Sequence, residues 1–249
     1  MNKKRFDISA ATLHILAMAF MLCDHLWATL LPAQEWMTCV GRIAFPIFAF
    51  MVVEGYFHTH NFKKYAQRML LFAVLSELPF DLMYGGTWFY PVHQNVIWTL
   101  LLGLLGIRAM EAVREKKKTW LYVLTCAAVC VFGYAIGTLA MLDYYGMGVL
   151  TVFVFYFFRG RNWWQFLGQV LVLYWINVNL MGGLLYPISI FGFNFFTLPA
   201  GACAPRAHTD LALPRAAGVS QQALPVCLLC VLSRSYPDPR ADPAGAVTE

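Results

Sequence analysis

An Asp-His pair, Asp24 and His25, sits inside an apolar run from Ala11 to Leu31. A run of about 20 such residues is long enough to cross a bilayer. Ionisable side chains at that depth are expensive in hydrocarbon, so they face a bundle interior or a water-filled path and serve chemistry or transport there. The pair therefore points to a membrane protein with a buried polar site. Composition agrees: 60% of residues are hydrophobic and 12% charged, about half the roughly 25% charged share of soluble domains. A basic cluster, Met1–Arg5, precedes the first run, but no small-residue cleavage site follows it. The run is expected to be a retained helix and not a removed signal peptide. The net charge of +5 is concentrated in particular loops, a distribution that argues against a nucleic-acid partner.

About eight apolar segments of spanning length follow one another, which predicts an all-α, multipass transmembrane helical bundle. They cover Ala11–Leu31, Trp36–Phe57, Met69–Tyr84, Asn95–Met110, Trp120–Leu139, Tyr144–Phe158, Trp163–Asn179 and Gly183–Leu198. The third and sixth are short enough for one of them to be tilted or re-entrant. Alternate connections are basic: Lys3-Lys4-Arg5, then Lys63, Lys64 and Arg68, then Arg114 with Lys116–Lys118, then Arg159 and Arg161. The intervening connections, Pro32–Glu35, Gly85–Gln94, Ala140–Asp143 and Leu180–Gly182, contain no Lys or Arg. This asymmetry predicts that the N-terminus and the basic loops are cytoplasmic. Arg42 alone among the basic residues before position 200 lies far from that side.

Helical rise converts this topology into depth, at about 1.5 Å per residue. Asp24 and His25 then lie roughly 9–11 Å below the outer end of the first segment, and Arg42 lies at a similar depth in the second. Glu77 is level with them, and Asp81 shares its face one turn nearer the outside. His93, Asn95 and Asp143 are expected at outer helix ends just above. A histidine levelled with these charges suits proton transfer near neutral pH. Adjacent helical residues point about 100° apart, so Asp24 is poorly placed to orient His25. Glu77 is the better candidate for that role, and Arg42 the better partner for Asp24. The same charges also suit a structural role, with Arg42 neutralising Asp24 or Glu77 where three helices meet.

Other features carry less chemistry. Gly133 and Gly137 have the spacing of a close helix contact. His58 and His60 lack nearby Cys or carboxylate partners in sequence, so no metal site is expected. Cys126 and Cys130, one turn apart, are expected to pack as small apolar residues.

Several stretches resemble the TraX family. They are Met21-Leu22-Cys23-Asp24-His25, the run Gly41-Arg42-Ile43-Ala44-Phe45-Pro46-Ile47-Phe48-Ala49-Phe50, and Val53-Glu54-Gly55-Tyr56. His58–Arg68, Ser76-Glu77-Leu78-Pro79-Phe80 and Asn95-Val96-Ile97-Trp98-Thr99-Leu100 extend the likeness, as do Tyr145-Gly146-Met147-Gly148 and Tyr156-Phe157-Phe158-Arg159. The family takes its name from a conjugation protein that acetylates the pilin N-terminus, and it is similar to the wider group of multipass membrane acyltransferases. The resemblance implies an acetyltransferase of the bacterial inner membrane. By it His25 is the expected catalytic residue, with Asp24, Arg42 and Glu54 at matching positions and Glu77 added from depth. Acetyl-CoA is the implied donor, its phosphates meeting Lys63, Lys64 and Arg68, although those cations also suit positive-inside anchoring. Asn95, Asp81 and Asp143 are candidate substrate contacts. The acceptor is an amine such as a pilin N-terminus, or a hydroxyl of a surface polymer; membrane lipid is the other partner.

The likeness stops near Phe196, which divides the chain into a membrane domain, residues 1–198, and a tail, residues 199–249. The tail is rich in Ala, Pro and Arg, has no Lys, and holds a single aromatic, Tyr236. It is expected to be a frameshifted or disordered segment, and a frameshifted chain would lack its last helices and be inactive. Two further classes fit the membrane pattern. A transporter or flippase would use the same charges as a relay, although no paired Gly/Pro-broken helices in matching halves support it. A non-enzymatic pilus or secretion assembly protein would need none of them.

Overall fold

A computed structural model describes residues 9–160, 162–180, 186–190, 193–197 and 203–204. Eight α-helices occupy the first 175 positions: α1 (Ala10–Thr29), α2 (Glu35–Gly41), α3 (Ala44–His58), α4 (Phe62–Tyr84), α5 (Val96–Arg114), α6 (Thr119–Leu139), α7 (Tyr145–Phe157) and α8 (Trp163–Trp175). A π-helical turn, Ile176–Leu180, extends α8. Helix starts follow the local chemistry. Ser9, Asn61 and Asn95 cap α1, α4 and α5 by accepting the backbone N–H of Thr12, Lys64 and Ile97, donors that a helix start otherwise leaves orphaned.

Four helical segments are long and apolar enough to cross a membrane by length and composition: Ala10–Thr29, Trp36–His58, Val96–Arg114 and Thr119–Leu139. The second of these is α2 and α3 together, interrupted at Arg42 and Ile43. The third expected segment proves longer than its apolar part, because α4 starts at Phe62 and carries Lys63, Lys64 and Arg68 on its first turns. The seventh is shorter, ending as an α-helix at Trp175.

The all-α architecture holds through residue 180, and the expected eighth helix over Gly183–Leu198 is corrected. Its described residues form an antiparallel pair, β1 (Tyr186–Ile190) with β2 (Phe193–Thr197), in the register Tyr186↔Thr197 to Ile190↔Phe193; β3 (Cys203–Ala204) pairs with β2. The segment is dense in aromatic and β-branched residues and contains Pro187, features that suit strands better than a helix interior. Apolar periodicity alone does not distinguish the two in so short a run. Apart from β3, the tail lies outside the described residues.

The bundle is organised around α7, where nine of thirteen residues are buried. α7 packs on α3, α5, α6 and α8; α1 lies on α2 and α3, and α4 packs chiefly on α5. Small residues bring α6 and α7 together. A Cβ on Gly146 would sit 2.3 Å from the Tyr134 carbonyl oxygen, and one on Gly137 2.9 Å from that of Tyr145. The expected close contact through Gly133 and Gly137 is thus present. Large apolar side chains face outward instead, including Leu71, Phe72 and Leu75 on α4 and Val123, Val131 and Phe132 on α6. Exposed apolar area on this scale marks a surface that water does not solvate, consistent with an integral membrane protein.

The helices alternate in direction, so one end of the bundle gathers the basic connections. The opposite, distal end joins α1 to α2, α4 to α5, and α6 to α7. There two loops are stapled: the Gln94 N–H donates to the Met141 carbonyl and the Asp143 N–H to the Gln94 carbonyl, each at 3.0 Å. Gln94 and Leu142 form an isolated parallel bridge, and the Thr99 hydroxyl donates to the Asp143 carbonyl at 2.6 Å.

Candidate functional site

Gly41 sets the approach of α2 to α1: a Cβ there would meet Asp24 Cβ at 2.5 Å. That contact places Asp24 beside the interruption between α2 and α3. Thr38 Oγ1 donates to Asp24 Oδ1 at 2.8 Å and accepts Arg42 Nε at 3.2 Å. Arg42 Nε lies 3.5 Å from Asp24 Oδ1. Arg42 is 4% exposed, and its charge is held in the interior beside the Asp24 carboxylate and the Thr38 hydroxyl. It also reaches the side chain of Tyr144, whose ring stacks on Phe45 with centroids 4.0 Å apart. The expected pairing of Arg42 with Asp24 is observed.

His25 lies one position on, partly buried, within electrostatic reach of Asp24, Asp143 and Arg42. Tyr84, at the end of α4, shares that neighbourhood with Asp143, Asp24 and Arg42. Asp143 therefore joins the polar centre from the α6–α7 loop. The same carboxylate makes direct contact with a second histidine, His93 Nε2 to Asp143 Oδ1 at 3.3 Å. The backbone around Asp143 is unusual. Met141, Tyr144 and Tyr145 have φ of 52°, 63° and 48°, a left-handed conformation that costs a non-glycine residue about 1–2 kcal/mol. Three such residues in five positions hold the turn that presents Asp143.

Glu77 does not orient His25, contrary to the reading from depth. Its Oε2 accepts the Asn95 side-chain amide and the Trp98 indole N–H, the latter at 2.7 Å, because the face of α4 that carries it is turned toward α5. Asn95 also donates to the Ala73 carbonyl at 2.8 Å and caps Ile97. Its hydrogen-bonding capacity is taken up inside the protein, and it is a positioning residue of the α4–α5 contact rather than a free substrate donor. Asp81 is 2% exposed. Among the described residues, Asp81 Oδ1 and Glu77 Oε1 are buried without a hydrogen-bond partner.

Glu54 does not join His25 either. It lies on α3 about 18 Å from Arg42 along the helix, at the basic end. There Arg159 grips it through two bonds, Nε to Oε1 at 2.7 Å and Nη2 to Oε2 at 3.1 Å. The Arg159 guanidinium also covers the Phe57 ring at 4.2 Å, and His58 Nδ1 lies 2.7 Å from the Glu54 carbonyl oxygen. Nearby, Glu111 accepts Tyr156 Oη at 2.8 Å and Arg114 Nη1 at 2.9 Å. Lys63, Lys64 and Arg68 are exposed at this end. An apolar cleft of about 470 Å³ lies between α4, α5 and α6, with Ala66, Gln67, Leu70, Leu101, Trp98 and Leu142 among its lining. No group of three or more His, Cys, Asp or Glu side chains able to hold a metal ion occurs among the described residues.

The structure thus brings together Asp24, His25, Arg42 and Asp143. It adds Thr38, Tyr84 and Tyr144, whose hydroxyls carry no helical-period signal, and it joins His93, expected just above the site, to Asp143 through the stapled loops. Glu77 with Asp81 and Asn95 forms a neighbouring group on α4 and α5, and Glu54 lies apart.

Fold and site together define a helical, membrane-type protein with a polar centre buried at one end of its bundle. The family model described as TraX protein matches residues 9–212, and the chain belongs to the TraX family. It is 33% identical over 158 residues to a probable fimbrial assembly protein FimC, serogroup H1, of Dichelobacter nodosus; the match covers 57% of this chain and 65% of the relative, which is just under two thirds of that protein's length. No solved structure matches.

Proposed function

We propose that this chain is a multipass acetyltransferase of the bacterial inner membrane, with its N-terminus and basic loops in the cytoplasm. It moves an acetyl group from acetyl-CoA to an acceptor amine, such as the N-terminus of a pilin-like protein, or to a hydroxyl of a surface polymer. The observation that carries this reading is the buried Asp24–Thr38–Arg42 relay at the level of His25, in a chain of the TraX family. His25 accepts the proton of the attacking group as the new bond to the acetyl carbon forms, and hands it to sulfur as the carbon–sulfur bond breaks. Arg42, already fixed by Asp24 and Thr38, faces the oxyanion of the tetrahedral intermediate.

Lys64 and Arg68, on one face of α4, meet the donor's phosphates together with Lys63. Lys64 lies about 20 Å and Arg68 about 14 Å along α4 from the level of Glu77, and the cleft lined by Gln67 and Trp98 offers the donor's arm a route along this side of the bundle. The fimbrial assembly name of the relative supports a pilus-related acceptor. A second reading, a transporter or flippase with a buried relay, is favoured by the Glu77–Asp81 pair, in which Glu77 Oε1 and Asp81 Oδ1 are buried without a protein partner among the described residues.

The test uses membranes containing the protein, labelled acetyl-CoA, and a pilin-like peptide or a polysaccharide as acceptor. His25→Ala is expected to lower acetyl transfer by about 10²–10⁴-fold while the protein stays in the membrane. Full activity in that variant would remove His25 from the reaction. No acetyl-CoA turnover by the unaltered protein with either acceptor would remove the enzymatic reading and leave the transporter.

A further inference from the structure

We propose that His93 and Asp143 form a second proton-handling pair of this site: Asp143 holds one ring nitrogen of His93, and the other takes the proton that a protonated amine acceptor must lose before it attacks the acetyl group. The inference rests on the acetyl-transfer reading and assigns it a step that His25 does not perform. An ammonium has no lone pair. The first proton must therefore leave to a base, R–NH3⁺ and neutral His93 giving R–NH2 and protonated His93, which releases the proton to water at the distal end. The freed amine then forms its C–N bond, His25 takes the second proton, and the thiolate receives it from His25. The net reaction releases one proton together with the acetylated amine and the free thiol.

Four independent features of the structure build this pair. His93 Nε2 lies 3.3 Å from Asp143 Oδ1. A carboxylate facing one nitrogen favours the tautomer with the proton there, which leaves the other nitrogen as acceptor. The ring is walled by Phe80, stacked at 5.3 Å and 14°, and by Tyr84 at 5.6 Å and 30°, so its plane is set from α4. The two loops that carry the partners are joined by the Gln94–Leu142 bridge, which fixes their separation through the backbone. The Asp143 turn is left-handed at three non-glycine residues; such conformations persist only where surrounding structure imposes them, and they gather at functional sites.

The charged and titratable groups around the pair are Tyr84 from α4, Tyr144 from the start of α7, and Asp24, His25 and Arg42 from α1 and the α2–α3 junction, all in reach of Asp143 or of its neighbours. Of the two histidines, His93 belongs to a distal loop and His25 to a helix, so a proton leaves more directly from His93. Asp24 binds Thr38 and Arg42, and Asp143 is the carboxylate of this centre that lies against the ring of His93.

The experiment is the pH dependence of acetyl transfer to a peptide with a free α-amine, measured in membranes for the unaltered protein, His93→Gln and Asp143→Asn. An α-amine titrates near pH 8. His93→Gln should therefore be slower by about tenfold or more near pH 6.5 and approach parity above about pH 9, where the acceptor arrives deprotonated. Asp143→Asn should shift in the same direction. Added imidazole should restore the low-pH rate of His93→Ala, which separates a lost base from a misfolded chain. A loss equal at every pH, without imidazole rescue, would reduce the pair to a structural tie, and unchanged rates would overturn the proposal outright. In both cases turnover by the unaltered protein leaves the enzymatic reading standing; absence of that turnover removes both.

Discussion

Arg42 shows how a single side chain links stability to chemistry. It is buried with its charge matched by Asp24 through Thr38, and breaking a buried pair by removing one partner costs about 3–5 kcal/mol. Arg42→Gln is therefore expected to lower the thermal midpoint of the detergent-solubilised protein and to abolish acetyl transfer. His25→Ala should leave that midpoint nearly unchanged, since no ion pair to the His25 ring is found among the described residues. Glu54 and Arg159 make the opposite case. Their two-bond contact at the basic end is a structural clamp, so Arg159→Ala should destabilise by a similar few kcal/mol, and the double variant Arg159→Ala/Glu54→Leu should recover much of the loss by removing the stranded carboxylate. Acetyl transfer that survives in the double variant would place Glu54 outside the reaction; its loss in a well-folded double variant would return Glu54 to it.

Pairs of elements in this bundle meet through backbone where glycine allows it. Gly41 lets α2 touch α1 at Asp24, and Gly146 lets α7 touch α6 at Tyr134. A methyl group in either place collides with atoms that cannot swing aside, and overpacking of this kind costs about 1–3 kcal/mol. Gly41→Ala should displace Asp24 from Thr38 and Arg42 and so reduce activity beyond its effect on stability. Gly146→Ala, farther from the centre, should lower the thermal midpoint with a smaller loss of activity per degree. Circular dichroism melts alongside labelled acetyl transfer check both; equal activity losses at equal midpoints would show that Gly41 acts only through stability. The strands over residues 186–190 and 193–197 stand where a helix is expected, because aromatic and β-branched density outweighs apolar length there.

For the whole molecule, the alternation of basic and non-basic connections predicts opposite sides for the α4–α5 and α5–α6 loops. Single cysteines are best placed at Trp88 and Lys116, because neighbouring Gly86 and Lys117 have φ of 63° and 56°, which a cysteine accepts poorly. Both should react with a membrane-impermeant thiol reagent from opposite faces; labelling from one face would overturn the orientation and the outer position of the His25 centre. Membrane character, the order of the helices through residue 175 and the shared level of Asp24 with Arg42 were all legible in the chain, because hydrocarbon demands long apolar runs and a helix turns residue count into depth. Rotation about each helix axis was not, and it turned Glu77 toward Asn95 and Trp98 instead of His25. The meeting of His93 with Asp143 depends on a backbone bridge between loops fifty positions apart in the chain. No local periodicity encodes such a contact; packing of α4, α5 and α7 sets it.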